Sequence, residues 1–118
     1  MDGDTILLEN ALLLAEVEQR LKEGMTVKLR PTGRSMLPFI VEGRDEVILQ
    51  KPDLTKRFRR GQIVLAKLQE GEYVMHRIIR VDYRGDNVYN LTLMGDGNLY
   101  QTEICTSLHV VGVVCGLI

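Results

Sequence analysis

The chain has 118 residues, 45% hydrophobic and 26% charged, with 15 basic and 16 acidic side chains and a formal net charge of −1. This is enough for one domain with a single modest core, and it excludes a disordered chain. The balanced charge argues against a general polyanion-binding surface, and no stretch approaches the roughly 18 consecutive apolar residues that would cross a bilayer.

In chain order, residues 4–23 are predicted as an amphipathic helix. Leu7, Ala11, Leu14 and Leu21 repeat at helical spacing, and Leu8, Leu12 and Ala15 broaden the stripe. Asp2 or Asp4 can cap its start and Gly24 can stop it. No basic n-region or small-residue cleavage site marks a secretory signal. Beyond Gly24 the character turns to β, with period-two alternation over 26–30, and strands are expected over 26–30, 46–50, 62–68, 73–81, 88–94 and 108–118. The run 62–68 is almost continuously apolar, which predicts a central strand. Turn signals fall at Glu42-Gly43-Arg44-Asp45, Arg60-Gly61, Glu70-Gly71-Glu72, Arg84-Gly85-Asp86-Asn87 and Gly95-Asp96-Gly97-Asn98. Between the second and third strands lies Lys56-Arg57-Phe58-Arg59-Arg60, read as a solvated basic loop. The expected fold is mainly β, a barrel-type domain of antiparallel or mixed strands over 26–118, with the helix in an N-terminal unit 1–25. Cys105 and Cys115 lack metal-ligand spacing, so both are expected as reduced thiols of a cytoplasmic protein with no metal or cofactor.

The chemistry centres on Ser35, in the bend Gly33-Arg34-Ser35-Met36-Leu37-Pro38. Glycine admits backbone angles that other residues avoid, and proline fixes φ, so the hydroxyl sits on a defined irregular turn. A serine becomes nucleophilic only when a base accepts its proton and a third group orients that base. His76 and His109 are the two histidines. His76, mid-strand between Met75 and Arg77, is the candidate base, since imidazole titrates at about 6.5. His109, in the expected last strand, is assigned a structural role. Asp96, on a glycine-bracketed loop, is the first candidate to orient His76. Asp45, Glu72, Asp82 and Glu103 remain open alternatives.

The same residues carry a resemblance. Gly33-Arg34-Ser35-Met36-Leu37-Pro38 resembles the Ser-Met-x-Pro box of type I signal peptidases and the Gly-x-Ser-Met box of LexA-like repressor cleavage domains. Glu42-Gly43-Arg44-Asp45 resembles the turn after that nucleophile, and Arg60-Gly61-Gln62-Ile63-Val64-Leu65-Ala66 is similar to the strand that follows. Val74-Met75-His76-Arg77-Ile78-Ile79 resembles the His-Arg segment of the endoplasmic-reticulum and archaeal signal peptidases, where histidine replaces a catalytic lysine. Leu93-Met94-Gly95-Asp96-Gly97-Asn98 resembles the Lys-Gly-Asp-Asn-Asn box.

Spanning 27–116, the resemblance implies a serine endopeptidase that binds a peptide or protein substrate as an extended strand and prefers small side chains before the scissile bond. It implies Ser35 as nucleophile, His76 as base and Asp96 as orienting acid. Thr32, Gly33, Arg34 and Met36 would form the oxyanion and substrate-binding surroundings. Gly33 stands where many signal peptidases have a second serine, so backbone N–H groups would hold the oxyanion, with Thr32 as a helper. The expectation is a signal-peptidase-like enzyme without membrane anchor or DNA-reading domain, with no nucleic-acid partner, and with the helix available for self-association. The alternative is a non-catalytic peptide- or protein-binding module on the same fold.

Overall fold

The computed structural model describes residues 3–30, 46–68, 71–83, 85, 87–97 and 101–117, with the backbone alone for 3–12 and 117. Thr32, Gly33, Arg34, Ser35, Met36 and Asp45 lie outside the described residues.

Helix α1 runs Gly3–Lys22. Its end is set by Gly24 at φ +86°, a conformation that glycine adopts without a Cβ penalty. There the Gly24 N–H donates to the Leu21 carbonyl at 3.0 Å and the Met25 N–H to the Arg20 carbonyl at 3.1 Å, closing the last turn. Arg20 and Lys22 place positive charge where the helix dipole favours it.

The strands are β1 Val27–Leu29, β2 Val47–Gln50, β3 Ile63–Lys67, β4 Tyr73–Asp82, β5 Asn90–Met94, β6 Glu103–Thr106 and β7 Val110–Leu117. They form one antiparallel sheet in the order β1-β2-β7-β3-β4-β5-β6. The apolar run predicted to be central is the middle strand, β3, with four consecutive buried residues. The expected barrel does not close among the described residues. β1 and β6 end the sheet as separate edges, and β6 is a strand that the hydrophobic pattern did not announce. The last strand starts later than expected, because Ser107–His109 form a 3-10 turn ahead of Val110.

Alternation along β3 sends its side chains to two separate cores. Ile63 and Leu65 pack with Val17, Leu21, Val47 and Leu49 under α1. Leu14 joins the rim of that cluster, while Ala15, expected on the stripe, is exposed. Val17 takes its place, lying three residues after Leu14 and four before Leu21. The helix can come this close because β7 offers Gly112, where a Cβ would meet Leu21 Cδ1 at 2.9 Å. Val64 and Ala66 point the other way, into a cluster with Ile78, Leu91, Leu93 and Phe58. Register shifts in the β3–β7 and β4–β5 pairings bend these strands around it. Among the described residues no helix is long and apolar enough to cross a membrane.

Candidate functional site

β4 carries the site, and its alternation decides which side chains can meet. His76 pairs with Val64 of β3, so it projects onto the Val64–Ala66 face. On β5 and β6, Leu93 pairs with Glu103 and Leu91 with Cys105, and Leu91, Leu93 and Cys105 all belong to that same core. Glu103 therefore shares a face with His76. Arg77 pairs with Met94, and one step further along this register Gly95 comes opposite His76. Gly95 is buried and has no side chain, so nothing of β5 stands between the imidazole and the carboxylate.

His76 and Glu103 meet there. Nδ1 of His76 lies against Oε1 of Glu103, with the two side chains 11% and 21% exposed. That nitrogen is shut off from solvent and makes no hydrogen bond among the described residues, so the approach of Glu103 is a close charge contact rather than an aligned hydrogen bond. A carboxylate this near Nδ1 favours the tautomer with its proton on that nitrogen, which is the tautomer that an oriented general base requires.

Asp96 is engaged elsewhere. Both of its oxygens accept from Arg77, Oδ1 from Nε at 2.8 Å and Oδ2 from Nη2 at 2.7 Å, and Arg77 Nη1 also donates to the Gly61 carbonyl at 2.8 Å. Arg77 follows His76 in the strand and so points to the opposite face, taking Asp96 with it. The hydrogen bonds to Asp96 raise the Arg77 pKa above its ordinary value against the opposing effect of burial. This fork ties the loop after β5 to the turn before β3.

Among the described residues, Glu103 is the acid of those weighed on sequence grounds that the structure brings to the histidine. Asp82 bonds Arg80 at 3.1 Å, and Glu72 is exposed. His109 plays a structural part, as expected, though in the 3-10 turn rather than in a strand. Its Nδ1 accepts the Thr106 N–H at 3.0 Å.

Cys105, two residues after Glu103, is not a rival nucleophile. Burial, aided by the charge of Glu103, pushes its thiol up to about 11, so the thiolate is absent at neutral pH. A cavity of about 220 Å³ opens beside Cys105 and His109, but neither His76 nor Glu103 lines it. Among the described residues no group of three or more His, Cys, Asp or Glu side chains could hold a metal ion.

Glu103 was among the sequence candidates but nothing marked it out. The signal that could have found it is its spacing of two from Cys105, which places both on one face of a strand, once β6 is recognised as a strand. Comparison with protein-family models finds no matching family, and comparison with curated proteins finds no match.

Proposed function

We propose that this protein is a serine endopeptidase acting on an extended peptide, with Ser35 as nucleophile, His76 as general base and Glu103 as the residue that positions His76. The observation that carries this reading is the buried His76 ring with a carboxylate on Nδ1. A buried imidazole takes a polar partner in any role, and a carboxylate is the partner that also favours the single tautomer a base must keep through the reaction.

In the first half-reaction the Ser35 hydroxyl oxygen bonds to the scissile carbonyl carbon and its proton passes to His76 Nε2. The resulting imidazolium is stabilised by the Glu103 carboxylate beside it. As the tetrahedral intermediate collapses, the C–N bond breaks and Nε2 returns the proton to the leaving amine, giving an acyl ester on Ser35. Water then attacks the ester with the same base accepting its proton, which releases the acid and restores the hydroxyl. Backbone N–H groups near Ser35 would hold the oxyanion.

The test is cleavage of a mixed peptide library followed by mass spectrometry. Ser35→Ala and His76→Ala should each reduce turnover by about 10⁴-fold. Equal cleavage by parent and both variants would sink the assignment, and peptide binding by the parent without any cleavage would leave only a binding module.

A further inference from the structure

The run Lys56-Arg57-Phe58-Arg59-Arg60 has no part in the mechanism above, yet it is built with care. Its four cationic side chains are exposed while Phe58 is 8% exposed. The Phe58 N–H donates to Tyr89 Oη and its carbonyl accepts from Tyr83 Oη, each at 2.7 Å. Arg57 lies over the Tyr83 ring, 4.5 Å from its centroid. Basic loops usually carry their charges on a mobile backbone. Here the middle residue is an apolar plug whose two backbone polar groups are both held by tyrosines. Cations displayed this way lose less conformational freedom when they bind.

Among the described residues no carboxylate forms an ion pair with Arg57, Arg59 or Arg60. The charge of Lys56 reaches Asp53, whose Oδ1 is already held by the Thr55 N–H at 3.0 Å and by its hydroxyl at 2.6 Å.

The position of the run is set by the strand that bears the base. The Gly61 N–H donates to the Ile78 carbonyl and the Ile78 N–H to the Gln62 carbonyl, each at 2.8 Å, and Arg77 Nη1 bonds the Gly61 carbonyl. The cationic run is thus pinned to β4 at the two residues that follow His76.

We propose that this run is an exosite for an acidic segment of the peptide substrate, whose Asp and Glu carboxylates pair with Lys56, Arg57, Arg59 and Arg60. The inference rests on the peptidase reading and names the class of substrate that the site takes. Guanidinium groups bind carboxylates through paired N–H donors, which favours this partner. A nucleic acid fits less well. The charge is local on a chain of net charge −1, and Arg57 covers the neighbouring Tyr83 ring, which removes an open face for base stacking.

The test uses a fluorescein-labelled dodecapeptide rich in Glu and its Gln counterpart, with binding read by fluorescence anisotropy on the full-length chain carrying Ser35→Ala. That variant separates the two claims, because binding needs no turnover. The Glu peptide should bind at least about 10-fold more tightly than the Gln peptide at low salt, and the preference should collapse near 0.5 M salt. Arg59→Glu with Arg60→Glu should abolish the preference and leave thermal unfolding unchanged, since both side chains are exposed. Equal binding of the two peptides, or a preference that survives the double substitution, overturns the exosite. Tighter binding of a single-stranded oligonucleotide than of the Glu peptide, lost in the same variant, also overturns it by assigning the run to nucleic acid. Absence of cleavage by the parent with the Glu preference intact would overturn the peptidase reading and leave the acidic-peptide surface standing.

Discussion

His76 and Arg77 are neighbours on one strand, each facing a carboxylate, and the two pairs behave in opposite ways. Arg77 meets Asp96 through a two-pronged fork and bonds a backbone carbonyl as well, so its charge is permanent and spent on holding two loops together. His76 meets Glu103 through a single nitrogen on the other face of the sheet. One residue of displacement along β4 separates a structural clamp from the proposed base. The difference lies in the cation. A guanidinium cannot give up its proton near neutral pH, whereas an imidazole can.

Swapping charge for amide on each acid should expose the contrast. Glu103→Gln should lower turnover of a cleaved peptide by about 10³- to 10⁴-fold, because an amide cannot stabilise the imidazolium or enforce the tautomer. Asp96→Asn should change turnover by less than about 10-fold, since Arg77 sends that carboxylate to the opposite face. If steady-state kinetics show the larger loss for Asp96→Asn, the roles assigned to the two acids are reversed.

The next largest effect concerns the core beneath Glu103. The Cys105 thiol is raised from 9.0 to about 11, so its contribution to stability is complete below pH 9 and is lost as pH rises through 11. Two pKa units correspond to about 3 kcal/mol. Urea unfolding at pH 8 and pH 11 should show this loss in the parent and a smaller one in Cys105→Val. Tyr73, raised to about 12 by burial and its hydrogen bond to Glu18, adds an alkaline loss of its own. That loss is common to both proteins and cancels in their difference. An identical fall in the two would contradict the assignment.

The smallest effect is the stability cost of the clamp. Asp96→Asn should destabilise the fold by about 1–2 kcal/mol, screened because the Arg77 and Asp96 side chains remain 26% and 19% exposed. A midpoint of chemical denaturation equal to the parent's would show that the fork does not stabilise the fold.

Much of this contrast was legible in the residues themselves. The helix stop at Gly24, the central position of the 62–68 run and the return of the chain as a strand at β4 all come from local rules, and they emerged as expected. β6 did not, because its pattern is inverted. Ile104 is 71% exposed while Glu103 and Cys105 face the core, so an apolar residue points out and a charged one in. A reading by hydrophobic alternation passes over such a segment. The last strand was drawn too long for a related reason. Leu108 looks like the start of an apolar strand, yet it is 72% exposed in a 3-10 turn held by Thr106 and His109.

The residue types and their local periods determined on their own that β4 would turn His76 and Arg77 to opposite faces, since successive strand residues always alternate. Which acid each would meet was decided only by the tertiary structure. That choice depends on the β4–β5 and β5–β6 registers, and a slip of one residue in either would move a whole strand's side chains to the other face. Pairing between segments some 20 residues apart is a long-range property. It set Glu103 beside the imidazole and gave Asp96 to the arginine.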